Sequence, residues 1–173
     1  MSSRSPRSKS SSKLTIRRAS LGDVDVLVHQ RRAMWEDLGI KDKSMHEKGN
    51  RVYKQWARTM LKRGKLLGWV VENRGGRVAG GGCLSLQPVQ PRPHRAAMFQ
   101  PYLLSMYTEP GFRRRGVASL VVQTAIEWCR KNRYERLMLH ASDMGRKVYR
   151  KFGFKRTWEM RLDLAEDKRL GRA

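Results

Sequence analysis

Apolar side chains recur along the chain at two spacings, and the switches between them mark the elements. Residues 14–18 alternate apolar and polar positions, the period of a half-buried strand. Ser20 then offers an N-cap, with Asp23 three residues on to close a capping box. Val24, Leu27, Val28 and Met34 follow at helical spacing as far as Gly39. Ser44 with Glu47 repeats the capping signature, and Met45, Val52, Trp56 and Met60 are spaced for the buried face of a second helix that Gly64 ends. Residues 66–72 and 77–86 are strand-like runs around Asn73-Arg74-Gly75-Gly76, a hairpin turn. Gly80, Gly81 and Gly82 interrupt the second run, which predicts a bulge or the close approach of a backbone or ligand.

Residues 87–100 hold three prolines and read as a long loop, long enough to suggest function. Residues 102–108 read as a strand and residues 109–115 as a turn. From Gly116 a helix places Val117, Leu120, Val121, Ala125 and Trp128 on its buried side. A short strand is expected over residues 136–140 and a short helix over 143–151. Trp158, Met160, Leu162 and Leu164 alternate, which predicts a last strand over 157–164. The order β-α-α-β-β-β-α-β-α-β describes one mixed α/β (α+β) domain over residues 14–165, with no internal repeat. Residues 1–13 are Ser, Arg, Lys and Pro almost throughout and read as a disordered basic tail, and residues 166–173 as a second tail. An organellar transit peptide is the competing reading of the first segment, but it lacks an amphipathic stripe.

Charge changes this picture in one direction. Lys and Arg number 38 against 15 Asp and Glu, a formal net charge of +23. The tail contributes only Arg4, Arg7, Lys9 and Lys13, so the excess belongs mainly to the domain. Such a surface favours polyanions as partners: nucleic acid, a membrane surface or a phosphate-bearing cofactor. No stretch approaches the ~20 apolar residues of a membrane span, and no apolar leader core is present, so a cytoplasmic protein is expected. Cys83 and Cys129 form no CxxC and no zinc-type cluster, and two reduced core thiols are favoured over a disulfide.

The chemistry concentrates in Glu109-Pro110-Gly111-Phe112-Arg113-Arg114-Arg115-Gly116-Val117-Ala118, between a strand and a helix. A helix N-terminus presents backbone N–H groups without intrahelical partners and the positive end of the dipole. Gly116 and Ala118 leave room for close approach, and three arginines add charge and forked donors, so the segment makes a phosphate cradle. The competing reading is a solvated basic turn before an ordinary amphipathic helix. The spacing matches neither a Walker loop nor a Rossmann GxGxxG.

This segment resembles the signature Q/R-x-x-G-x-G/A of the Gcn5-related N-acetyltransferase (GNAT) family, here Arg113-x-x-Gly116-x-Ala118. A second family signature, a short helix with a Tyr followed by Gly-Phe, is similar to Tyr149-Arg150-Lys151-Phe152-Gly153-Phe154. The two stand in register, and the element order resembles the family over residues 14–164. The resemblance implies a central, mostly antiparallel twisted sheet of about six to seven strands flanked by about four helices. It also implies binding of acetyl-coenzyme A and transfer of acetyl to a primary amine, by direct attack within a ternary complex. On this basis the backbone around Met106, Tyr107 and Thr108 would bind the pantetheine arm. The N–H groups of Arg113, Arg114, Arg115, Gly116, Val117 and Ala118 would hold the pyrophosphate, with Ser119 adding a hydroxyl. Tyr149 would protonate the departing thiolate, and a strand N–H near Tyr107 would stabilise the oxyanion. Ser142 stands where relatives carry Asn, so it is a coenzyme contact in this reading and a helix cap in the plainer one. Some relatives pair through late strands, so a monomer or a homodimer is expected.

The proton acceptor is less evident. Glu109, at the end of the fourth strand, is the candidate carboxylate, with a solvated turn residue as its alternative reading. Tyr102 and Leu104 occupy places where some relatives carry the base. His94 lies in the proline-containing loop, and His140, at a strand end, reads as structural, so transfer through water is expected. Residues 20–47 hold six acids against four bases, the one net-acidic stretch, on the side implied for the acceptor amine. A peptide N-terminus, a lysine or a small amino compound fits this better than a polyamine. The alternative from charge alone is a nucleic-acid- or ribosome-binding module on the same fold, with little catalysis.

Overall fold

Five strands form one sheet in sequence order, β1 (Thr15–Arg18), β2 (Leu66–Glu72), β3 (Val78–Pro88), β4 (Phe99–Thr108) and β5 (Met138–Leu139). These come from a computed structural model that describes residues 13–91, 93 and 97–162. The expectations for residues 1–12, for His94 and for residues 163–173 lie outside the described residues. The first four strands run antiparallel, and β5 joins β4 in parallel. The parallel step needs a crossover, supplied by α3 (Val117–Lys131). Helices α1 (Val24–Asp37) and α2 (Lys43–Lys62) connect β1 to β2, and α4 (Arg146–Lys151) follows β5.

Both faces of the sheet are covered, which is why residues 66–71 are buried without a break. On one face Leu27, Tyr53 and Ala57 of α1 and α2 pack on Val70 and Cys83. On the other, Val117, Val121 and Ala125 of α3 and Tyr149 of α4 pack on Val71, Leu84 and Leu103. Cys83 and Cys129 are free, buried and on opposite faces, and burial pushes their thiols up to about 12 and about 11.

The Ser20–Asp23 capping box forms, opening a single 3-10 turn ahead of α1. The second capping signature does not. Asp42 caps α2 instead, its Oδ1 accepting from the Met45 N–H at 2.9 Å, so Ser44 lies inside the helix. The buried face shifts with it: α2 buries His46, Tyr53 and Ala57 and leaves Met45 and Val52 exposed. The Tyr53 ring, seated against the sheet with the Arg31 guanidinium 4.9 Å over its face, fixes that rotation. The expected loop over 87–100 is shorter, because β3 and β4 stay paired to Pro88–Phe99 and Val89 N–H reaches the Met98 carbonyl.

The predicted last strand is also corrected. Residues 157–162 have no strand partner, and Trp158 and Met160 are 95% and 96% exposed. Alternation makes a strand only where a neighbouring edge accepts it, and β5 is two residues long. Among the described residues the sheet therefore has five strands rather than six or seven.

Candidate active site

Strand β4 is held on its two edges over different lengths. Toward β3 it is paired as far as Gly80–Thr108, whereas toward β5 it is paired only at Tyr102–Met138 and Leu103–Leu139. From Leu104 to Thr108 no strand among the described residues lies beside the β5-facing edge, so β4 and β5 open into a wedge. A β-bulge sits at its apex. Between Cys83–Leu104 and Gly81–Tyr107, two residues of β4, Ser105 and Met106, lie opposite one of β3, Gly82, and Ser105 takes a left-handed φ of 52°. The glycine run opposite makes the bulge possible: a β-carbon on Gly82 would collide with Met106 Sδ, and one on Gly81 with the Trp69 carbonyl and the Gln30 side chain. Met106 thereby turns to the α3 face, while Tyr107 turns to α1, its ring edge-on to His29 at 6.1 Å.

The open edge runs into the turn before α3. Gly116 caps that helix at φ 86°, with nothing within 4 Å of where a β-carbon would be. The first bond of the helix is from Leu120 N–H to the Gly116 carbonyl, at 2.9 Å, so the N–H groups of Val117, Ala118 and Ser119 precede the ladder and face outward. Arg114 is also left-handed, at φ 62°; the Arg113 N–H is taken by the Pro110 carbonyl at 3.3 Å, and the turn from Arg114 to Gly116 continues the row of backbone donors. These donors, the dipole and the bare Gly116 suit an anionic group. The three arginines differ. Arg113 is spent within the protein, its Nη2 donating to Asp37 at 2.6 Å and its Nε to the Thr108 carbonyl, so its side chain ties α1 to β4. Arg115 stacks over Phe112 at 5.7 Å, and Arg114 is exposed.

Tyr149 lies in the α3-side cluster, edge-on to Phe154, and burial raises its phenol above the ordinary value. Gly145 lets it sit there, since a β-carbon would stand 2.7 Å from the Tyr149 ring. Among the described residues its hydroxyl makes no hydrogen bond. Ser142 shapes the turn before α4, its Oγ accepting from the Gly145 N–H at 3.3 Å. Helix α4 itself begins at Arg146, three residues later than the spacing predicts.

Glu109 stands just past β4, at the phosphate end of the wedge, 2.8 Å from His29 Nε2. His29, on α1, was not singled out from sequence, and the two are eighty positions apart. A second polar constellation lies at the apex. The Tyr102 hydroxyl is hydrogen-bonded to His140 Nδ1, and His140 Nε2 lies 3.2 Å from Glu159 Oε2. Tyr102 shares a face with Leu104, which packs toward α1 and α2, so this group is on the opposite side of the sheet from Tyr149. The acids of residues 20–47 are largely engaged: Asp23 with Arg17, Asp25 with Lys54, Glu36 with Arg32, Asp37 with Arg113 and Asp42 as a cap. They do not form a free acidic wall.

In this fold an open strand edge thus leads to a helix whose first N–H groups precede its hydrogen-bond ladder. The model of the acetyltransferase (GNAT) family matches residues 29–154, and the chain belongs to that family. It is similar to a GCN5-related N-acetyltransferase from Ralstonia eutropha JMP134, at 25% identity and a TM-score of 0.80 over 88% of this chain and 99% of that one. It is also similar to a predicted acetyltransferase from Clostridium acetobutylicum, solved with acetyl-CoA, at 24% identity and a TM-score of 0.79 over 90% and 99%. Glucosamine-6-phosphate N-acetyltransferase from Arabidopsis thaliana shares the fold at 15% identity and a TM-score of 0.63, over 88% and 99%. Comparison with curated proteins finds no match. No helix among the described residues is long and apolar enough to cross a membrane.

Proposed function

We propose that the protein is an acetyl-CoA-dependent N-acetyltransferase that moves acetyl directly to a primary amine while both substrates are bound. The observation that carries this reading is the unpaired edge of β4, residues 104–108, running into the free N–H groups at the start of α3. A β-strand edge is a row of amide donors and acceptors, and the amides of a pantetheine arm complement it. Met106, Tyr107 and Thr108 would hold that arm. The backbone from Arg113 to Ala118 would hold the pyrophosphate, Ser119 would add its hydroxyl, and Ser142 would flank the arm from the β5 side. Bound there, acetyl-CoA supplies the acetyl group as an activated thioester.

The residues on either side of the wedge divide the chemistry. Tyr149, buried and raised in pKa, stays protonated at neutral pH and donates its proton to the departing sulfur. A backbone N–H of the open edge near Tyr107 would stabilise charge on the carbonyl oxygen. Glu109, bonded to His29 at the phosphate end, holds α1 against β4 and would add negative charge on the α1 side of the sheet, along which an ammonium group would approach. Thiol release from acetyl-CoA, measured with a panel of peptide N-termini, lysine derivatives and small amines, tests the reading. Acceptor-dependent release supports it, and none with any amine, together with no acetyl-CoA binding, contradicts it.

One observation favours a second reading, a nucleic-acid-binding module. Arg51, Lys54 and Arg58 line a shallow groove of about 330 Å³ on the outer face of α2. RNA affinity that falls steeply with salt, without cofactor affinity, is the outcome this reading expects.

A further inference from the structure

We propose that Tyr102, His140 and Glu159 form a proton relay that deprotonates the attacking amine at the apex of the β4–β5 wedge. The inference rests on the acetyl-transfer reading and supplies the proton acceptor that it lacks. Three elements contribute: Tyr102 from β4, His140 from the residue after β5, and Glu159 from the segment that follows α4. Their meeting point is set by register. The parallel pairing of Tyr102–Met138 and Leu103–Leu139 makes Leu104 and His140 the first residues to separate, so the relay stands where the wedge opens. The phosphate turn is at the other end of the same edge, so an extended arm fastened there points its far end toward the apex.

One hydrogen bond and one ion-pair contact link the three groups in a row. In the relay the phenol donates, so Nδ1 of His140 accepts and Nε2 carries the hydrogen that faces Glu159. Tyr102 Oη takes a proton from the nitrogen as its own proton passes to Nδ1, leaving an imidazolium against the Glu159 carboxylate. The phenol never has to hold a charge, in keeping with burial and the Glu159 charge raising its pKa. His140 is half-exposed, so it returns the proton to solvent. The balance closes: an ammonium and a thioester become an amide, a thiol and one proton. The C–N bond forms, the C–S bond breaks, and the nitrogen sheds two protons. One leaves through the relay, and the other offsets the proton that Tyr149 gives to sulfur. Tyr102 is the catalytic residue that meets the amine, and His140 and Glu159 are positioning residues that take up its charge. The division by face follows, with the amine on the α1–α2 side and the sulfur on the α4 side.

The test compares the full chain with Tyr102→Phe, His140→Asn and Glu159→Gln. Thiol release is measured with 2,2,2-trifluoroethylamine, which is mostly neutral at pH 7, with glycinamide, and with n-butylamine, which is mostly ammonium. Acetyl-CoA affinity is measured by calorimetry for each protein. The relay predicts unchanged affinity and a kcat with n-butylamine about 10²-fold lower for Tyr102→Phe and His140→Asn, the range for general base catalysis. The loss shrinks with trifluoroethylamine, a grading that a merely structural defect would not produce. If no amine is turned over, the comparison is read on the slow hydrolysis of acetyl-CoA, in which the relay deprotonates water. Glu159 is exposed, so Glu159→Gln leaves the fold intact and must show the same grading at smaller amplitude. Nitrogen-15 spectra of the ligand-free protein give a readout apart from turnover: Nδ1 of His140 without hydrogen and Nε2 with it. The opposite tautomer, or variants that lose nothing or lose equally with every amine, overturns the relay and leaves acetyl transfer standing. A wild-type protein that neither binds acetyl-CoA nor releases thiol overturns the acetyl-transfer reading itself.

Discussion

Gly80 of β3 lies so close to Tyr107 of β4 that a β-carbon on Gly80 would collide with the Tyr107 carbonyl oxygen and stand 2.9 Å from Thr108 Cα. Its φ of 155° is one that side chains rarely adopt. The contact sets the position of the β4 segment that lines the wedge. Gly80→Ala is expected to lower stability by about 1–3 kcal/mol, the scale of local backbone strain. Because the same stretch of β4 carries the open edge on its other side, acetyl-CoA affinity should fall as well. Urea unfolding and calorimetry measure the two effects, and a variant with normal affinity would show that the edge is not set by this contact.

Tyr149→Phe removes one hydroxyl from a buried ring that packs on Phe154. Its kcat should fall about 10²-fold, the range for losing a general acid, with acetyl-CoA affinity unchanged. The pH profile carries a second sign. Burial raises the folded pKa, so the acid form persists upward, and the alkaline limb due to Tyr149 should lie above its ordinary value of about 10. An alkaline limb unchanged in Tyr149→Phe would remove the residue from the mechanism.

Glu109→Gln preserves size and removes the charge that faces His29 at 2.8 Å. Both side chains are partly exposed, so the pair is worth no more than about 1 kcal/mol. The acceptor KM should rise, and kcat should fall by less than about fivefold, the equivalent of that energy. A much larger fall in kcat would make Glu109 the proton acceptor in place of the Tyr102 relay.

What was legible in the sequence was local. Asn73 Oδ1 accepts from the N–H groups of Gly75 and Arg77, so the hairpin turn is written in four adjacent residues. The Ser20–Asp23 box and the Gly116 cap are equally local. The α2 face was not legible, because apolar spacing alone admits two rotations and the Tyr53 contacts with the sheet choose between them. The alternation of Trp158 and Met160 looked like a strand, yet pairing depends on an edge that β5 is too short to offer. The side-chain pairs of the site were hidden for the same reason. Tyr102 and His140 are 38 positions apart and His29 and Glu109 are 80, and only sheet register and helix docking bring each pair together.

Asp23 joins the two ends of the first β-α unit. Its carboxylate accepts from Arg17 at 2.8 Å and from the Ser20 N–H at 2.7 Å, and the Arg17 guanidinium above all holds its pKa well below the usual range. The folded pKa lies below the unfolded one, so the ionised form is the stabilising one. That contribution is full above the unfolded value of about 4 and is lost as pH falls below it. Asp23→Ala should cost about 1–2 kcal/mol, as for a lost cap, and should flatten the acid side of the stability curve. Thermal unfolding at pH 7 and at pH 3 checks both, and an equal cost at the two would contradict the linkage.

Coenzyme binding is assigned to the helix end at Gly116, where backbone donors are free and no side chain intervenes. Calorimetric titration of acetyl-CoA into the wild-type protein and into Gly116→Glu tests it most directly. The substitution places a carboxylate among the donors at φ 86°. Micromolar binding to the wild type that is abolished in a folded Gly116→Glu protein is the predicted result. Equal binding by both proteins, or none by the wild type, would contradict the assignment of this turn as the coenzyme site.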